Sequence, residues 1–264
     1  GDNGSTIAGT ACCNEFINLH VHDNGTTDFN QGFYITSSRN LIERCAIHHN
    51  KSAGISIWKQ PTFEQPAPVT DFNIVRYNRI FSNGTLGTRG PGMNITQGRG
   101  TIAHSNVIYD NLGGIYVRYR ATNAKVYNNT VYHNQGPGIS VNQEQGGTLN
   151  AMIKNNIAVG NTEPQLFNDG IGTIFADNLC SASGTGCTVI GNPQFVNPTA
   201  NPPDFRLQAT SPAIDIGEAL PEVSTDFDGV SRPQDGPDAD TTPEFDLGAY
   251  EYRTTSALPG DLDG

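Results

Sequence analysis

Through most of the chain one arrangement of positions returns. An apolar residue is followed three places on by an asparagine, then by a loop of variable length, then by a glycine that opens a short run of alternating apolar and polar residues. The asparagines are Asn24, Asn50, Asn83, Asn111, Asn134 and Asn161, and the apolar residues before them are Val21, Ile47, Ile80, Ile108, Val131 and Ala158. The alternating runs begin at Gly32 (GFYIT), Gly54 (GISIW), Gly92 (GMNIT), Gly114 (GIYVR) and Gly138 (GISVN). A period of two puts every second side chain on one face of a strand. It predicts an inward ladder of Phe33/Ile35, Ile55/Ile57, Met93/Ile95, Ile115/Val117 and Ile139/Val141.

Asn111 and Asn134 stand 23 residues apart, and longer intervals mark inserted loops. A second set, Asn78, Asn106, Asn129 and Asn156, falls at equivalent turns. Asparagine tolerates left-handed backbone and carries both a donor and an acceptor, so stacked copies can bond one another along an axis. Short strands and turn asparagines recurring in this way are what the coils of a parallel β-helix require; a leucine-rich repeat would show repeated Leu and a helix. The expected fold is all-β: a single-stranded parallel β-helix solenoid over residues 1–203, an irregular acidic C-terminal segment over 204–253 packed on it, and a linker over 254–264 toward a further module.

Composition narrows the partners. The 264 residues are 36% hydrophobic and 16% charged with 30 glycines, which suits neither a thick globular core nor a disordered polyelectrolyte, and long helices are not expected. A formal net charge of −11 opposes both nucleic-acid phosphate and anionic membrane. No run approaches the roughly 20 apolar residues that span a bilayer. The opening GDNGSTIAGTACC lacks the charged and apolar regions of a signal peptide, so any export signal is expected to have been removed. Among five cysteines, Cys180 and Cys187 enclose a short glycine-rich segment whose length suits a loop-closing disulfide in an oxidising compartment. If the coils stack, Cys45 is placed to pair with Cys12 or Cys13; otherwise the three are small buried residues.

The coils from Asn14 to about Asn161 resemble the secreted bacterial right-handed parallel β-helix repeat proteins of the pectate-lyase-like superfamily. The segments DFRLQATSPAIDIG (Asp204 to Gly217), DFDGVSRP (Asp226 to Pro233) and DLGAYEY (Asp246 to Tyr252) resemble the closing segment of bacterial members. The resemblance implies a right-handed solenoid, secretion or display at the cell surface, and a polysaccharide partner. The paired-aspartate and His-Gly motifs of polygalacturonase-like hydrolases, the arginine pattern of pectate lyases and the Tyr-Gly-Phe-Asp-Pro-His of mannuronan epimerases are all missing. The last residues, Pro259 to Gly264, resemble the opening of a dockerin-like calcium loop, and the first residues begin inside a coil. Both ends suggest a piece of a modular protein.

With the strands in register, the outward positions form two rows: Tyr34/Ser56/Asn94/Tyr116/Ser140 and Thr36/Trp58/Thr96/Arg118/Asn142. Lys59, Gln60, Gln97, Tyr119, Arg120, Gln143 and Glu144 lie beyond them. A sugar ring offers an apolar face and a rim of hydroxyls, so its binding surface wants flat aromatics beside amides and guanidinium groups. The candidate substrate-binding residues are Tyr34, Trp58, Asn94, Gln97, Tyr116, Arg118, Arg120 and Asn142, with the loops Lys59 to Thr70 and Ser82 to Pro91 as walls. A uronate lyase needs a cation for the carboxylate and a base for the C5 proton, for which Arg118 and Arg120, and Tyr116, Tyr119 or Lys59, are the candidates. Glu144 is the one acid on the strip, which argues against a two-carboxylate glycosidase.

His49 and His133 precede turn asparagines and should face another side, and His20, His22, His48 and His104 form no convincing metal spacing. Asp226, Asp228, Asp235, Asp238 and Asp240 crowd one stretch and offer the hard oxygen ligands calcium takes, or else form a solvated acidic loop. Three readings stay open: an extracellular polysaccharide-binding domain, a polysaccharide lyase or epimerase acting on a uronate glycan, and a structural surface or fibre protein whose open strand edges associate.

Overall fold

In the computed structural model the described residues are 5–7, 12–26, 29–58, 70–84, 90–144, 146–162, 164–237 and 241–253. Among them there is no helix. Each coil contributes one strand to each of three parallel sheets. The first sheet contains Ser5–Ile7, Phe33–Ile35, Ile55–Ile57, Pro91–Thr96, Gly113–Arg118, Ile139–Val141 and Leu166–Asn168. The second runs from Glu15–Ile17 through Leu41–Glu43, Ile74–Arg76, Ile102–His104, Lys125–Tyr127 and Met152–Lys154 to Ile174–Ala176. The third starts at His20–His22 and continues through Ala46–His48, Arg79–Phe81, Val107–Tyr109, Thr130–Tyr132, Ile157–Val159 and Asn178–Cys180 to Cys187–Ile190.

Register follows the apolar period. Phe33, Ile55, Met93, Ile115, Ile139 and Leu166 stack as direct partners, as do Ile35, Ile57, Ile95, Val117 and Val141. These side chains join Ile47, Ile80, Ile108 and Val131 of the third sheet and Ile42, Val75, Val126 and Ile153 of the second in one axial core. A one-residue slip in any coil would turn its apolar residues outward, so burial fixes the register.

Two asparagine ladders line corners of the stack. In one, the backbone N–H and Nδ2 of each residue donate to Oδ1 of the next along Asn24, Asn50, Asn83, Asn111, Asn134 and Asn161. Gln165 closes this ladder by accepting from Asn161. The other runs Asn78, Asn106, Asn129, Asn156 and Asn178. Left-handed backbone is carried by the residue before each of these asparagines: His49, Ser82, Asp110 and His133 in the first ladder, and Tyr77, Ser105, Asn128 and Asn155 in the second. The ladder asparagines themselves supply the amide network, which corrects the expectation that they occupy the left-handed positions.

Cys45 occupies the place in the second ladder that asparagine fills elsewhere, its N–H donating to Asn78 Oδ1. It is buried and free, and Cys12 and Cys13 are exposed and free. The N–H of Cys13 bonds Ser38 O at another corner, so stacking does not bring it to Cys45, and the expected pairing does not form. Cys180 and Cys187 are joined by a disulfide with their Cα atoms 5.6 Å apart.

The described residues from 195 to 237 and from 241 to 253 lie along the flank of the stack. Phe195, Phe205, Leu207, Ala213, Leu247, Ala249 and Tyr250 bury the outer face of the third sheet at Val107, Tyr109, Ile157, Val159 and Leu179. Leu220, Val223 and Phe245 do the same at Tyr127 and Met152 of the second sheet. Asn128 Nδ2 donates to Asp246 O, Asn155 Nδ2 to Glu218 O, and Tyr77 shares a 2.6 Å bond with Thr225. Neither of these clusters involves the first sheet.

Candidate functional site

The outward rows of the first sheet stand in the expected register: Tyr34, Ser56, Asn94, Tyr116 and Ser140 are successive partners, and Thr96 pairs with Arg118. Their exposure differs from that of an ordinary solvated sheet. Thr36, Ser56, Asn94, Thr96, Gln97 and Ser140 are buried, while Tyr34, Trp58, Tyr116, Arg118, Tyr119 and Asn142 are half-buried and Arg120 and Glu144 exposed. The small polar residues form a recessed floor, and the rings and guanidinium groups stand around it. Lys59 and Gln60 lie outside the described residues, as do the rest of the first expected wall up to residue 69 and residues 85–89 of the second.

Tyr119 ties the middle of the strip together. Its ring meets the Trp58 indole edge to face at 5.4 Å between centroids. The Arg118 guanidinium lies 4.8 Å from the Tyr119 ring centroid and 5.4 Å from that of Tyr116. Such contacts are individually worth about 1 kcal/mol, more where water is excluded. Tyr119 and Arg120 are consecutive left-handed residues, φ 51° and 67°, and this turn carries the Tyr119 ring back over the strip. The signal in the sequence is weak, because nothing in a Val-Arg-Tyr-Arg run announces positive φ.

Three polar atoms on this strip have no hydrogen-bond partner among the described residues: Asn94 Oδ1, Gln97 Oε1 and Arg118 Nε. Asn94 and Gln97 are only 8% and 7% exposed. A buried polar group without a partner costs roughly 1–3 kcal/mol, so three on one strip call for an explanation. Asn142 accepts from Ser140 Oγ at 2.6 Å, and Glu144 lies 3.7 Å from the Arg118 guanidinium. Burial pushes the Tyr116 phenol up, against a smaller opposing effect of Arg118, and pushes the Tyr34 phenol up as well. Tyr116 is therefore a hydrogen-bond donor at neutral pH rather than a ready base.

Of the acidic stretch expected to attract calcium, Asp226, Asp228 and Asp235 are described. Asp226 is fully buried and accepts from the backbone N–H groups of Val230 and Glu251, which shapes a turn of the C-terminal segment. Asp228 and Asp235 are exposed, and Asp238 and Asp240 lie outside the described residues. Among the described residues no three His, Cys, Asp or Glu side chains are placed to hold a metal ion. His22 and His48 stack at 4.9 Å on the outer face of the third sheet, His49 is exposed beside them, and His133 bonds Asp110 at 2.7 Å. His104 is buried beneath the C-terminal segment, where Ser105 Oγ bonds Thr225 O.

Residues 5–197 match the family model of the right handed beta helix region. No curated protein matches the sequence. Among solved structures, the periplasmic alginate epimerase AlgG is 16% identical with a TM-score of 0.43 over 65% of this chain and 46% of its own. The pectate lyase Pel9A is 15% identical with a TM-score of 0.44 over 89% of this chain and 70% of its own. This chain thus spans less than half the length of the epimerase, and likenesses at such identities concern the fold alone. The family match, the three parallel sheets and the asparagine ladders agree, and the chain belongs to the right-handed β-helix family.

Proposed function

We propose that the chain is a polysaccharide-binding β-helix domain of a secreted modular protein and that the recessed strip of the first sheet takes a stretch of acidic glycan. The observation that carries this reading is the joint placement of Trp58, Tyr119 and Arg118 beside the unpartnered Asn94 Oδ1, Gln97 Oε1 and Arg118 Nε. A glycan laid along the strip would stack ring faces on the aromatics and set its carboxylates against Arg118 and Arg120. A floor already held by the coil stack limits the ordering cost of binding.

Retention on immobilised alginate or polygalacturonate tests the reading. Trp58→Ala and Arg118→Ala should each weaken retention about tenfold, the scale of an interface anchor, with unfolding midpoints nearly unchanged. Equal retention of both variants and the parent would reject the strip as the site. The adjacency of Arg118 and Tyr116 also supports a second reading, a lyase or epimerase acting on the same glycan. Ultraviolet absorbance of unsaturated products, and the uronate composition of recovered polymer, separate the two.

A further inference from the structure

A cleft of about 640 Å³ lies where the third sheet meets the C-terminal segment. Its volume falls within the roughly 300–1,000 Å³ of small-molecule sites. Tyr132 and Val159 form the coil side, Ser181 one wall, and Asn192, Gln194 and Gln208 the other. None of the lining residues carries a charge, although the chain as a whole is at −11.

Both walls are fixed. Ser181 follows Cys180, which is tied to Cys187. Opposite, the N–H of Gln208 donates to Gln194 O at 3.0 Å, Gln208 Nε2 to Phe195 O at 2.7 Å, and the Thr210 hydroxyl to Gln194 Oε1. Asn192 Oδ1 accepts from the N–H of Gln194 at 2.8 Å. These bonds use one end of each amide. Asn192 Nδ2, Gln194 Nε2, Gln208 Oε1 and the hydroxyl of half-buried Tyr132 are left without partners among the described residues. At Gly191, in the cleft lining, an added Cβ would meet nothing within 4 Å, so the space is open to solvent there.

We propose that this cleft is a second saccharide site, one for a short neutral oligosaccharide. Tyr132, with Pro193 and Pro198 also in the lining, offers apolar surface to a ring face. The free amide ends and the phenol match the donors and acceptors of a hydroxyl rim. An anionic sugar would find no cation here, which sets the site apart from the arginine-bearing strip of the first sheet.

The test is titration of the isotope-labelled chain with cellotriose, xylotriose, mannotriose and trigalacturonate at millimolar concentration, read by amide chemical shifts. At least one neutral trisaccharide should move resonances around Tyr132, Ser181 and Gln194. Ser181→Trp, which fills the cleft from an exposed loop position, and Gln194→Ala should each weaken that binding about fivefold or more. Trp58→Ala should leave it unchanged, so the cleft stands or falls apart from the first-sheet strip. The proposal is overturned if no neutral trisaccharide perturbs the cleft, if trigalacturonate alone does, or if Ser181→Trp binds as the parent does.

Discussion

Trp58 and Tyr119 meet edge to face from coils two strands apart in the first sheet, their ring centroids separated by 5.4 Å across the Gln97 corner. The contact depends on left-handed backbone at Tyr119, φ 51°, which a bulky side chain adopts at a cost of roughly 1–2 kcal/mol. Tyr119→Gly therefore removes the ring while relieving the backbone. The variant should melt within a few degrees of the parent yet lose about fivefold in polysaccharide retention. Its effect should be less than additive with Trp58→Ala, since each ring supports the other. Calorimetric melting and affinity electrophoresis on the four members of the cycle would check this, and strict additivity would mean that the two rings act separately.

The asparagine ladders set a second expectation. Asn111 Oδ1 accepts from the N–H and Nδ2 of Asn83, and Asn111 Nδ2 donates to Asn134 Oδ1, Ile80 O and Tyr109 O. Asn111→Ala strands these groups in a fully buried corner, where each unsatisfied group costs roughly 1–3 kcal/mol. A loss of about 4 kcal/mol by urea unfolding is expected. Asn24→Ala, at the partly exposed end of the same ladder, should cost well under half of that, because water can reach the groups it frees.

The coil stack was legible because burial imposes it on the sequence: Ile55, Met93, Ile115 and Ile139 must recur in phase, and the register of Asn94 with Tyr116 follows from theirs. The recess of the strip was not legible. Whether Asn94 and Gln97 are covered depends on contacts outside the repeat, and no periodicity encodes those. The same holds for the bonds that Asp226 accepts from the backbone N–H groups of Val230 and Glu251, which depend on how the C-terminal segment folds back on itself. Cys45 was misplaced for a related reason: equal spacing along the chain does not distinguish one corner of a coil from another.

Stability should respond to acid through His104. Burial, aided by Arg76 and Arg232, holds its pKa down at about 3, below the ordinary value near 6.5. The unfolded chain then binds a proton that the folded chain refuses between those values, so this residue withdraws stability as pH falls from about 6.5 toward 3, at roughly 1 kcal/mol per pH unit. His104→Gln removes the coupling. Relative to the parent, the variant should gain stability steadily on acidification, as measured by urea midpoints across that range. A pH-independent difference would mean that the imidazole is protonated in place.

Asp246 works in the opposite direction. Burial and the neighbouring Glu251 push its carboxyl up to about 7, against about 3.9 in an unfolded chain. The folded protein thus holds a proton that the unfolded chain releases between those values, and this residue's contribution falls as pH rises from about 4 to about 7. Arg232 is what makes the cluster tolerable: its side chain is fully buried, it pairs with Glu251, and it donates to Asp246 O at 3.0 Å and Gly248 O at 2.8 Å. Arg232→Met leaves Glu251 and Asp246 facing each other without a cation, for a loss of about 3–5 kcal/mol. Because Asp246 and Glu251 sit in the segment that covers the third sheet, the loss should appear first as detachment of that segment, with faster hydrogen exchange at Leu247 and Ala249 while Ile115 and Ile139 stay protected. Arg232→Met should also steepen the decline in stability above pH 4, since both acids then resist ionisation. Uniform exchange through the coils and the segment together would show instead that they unfold as one unit.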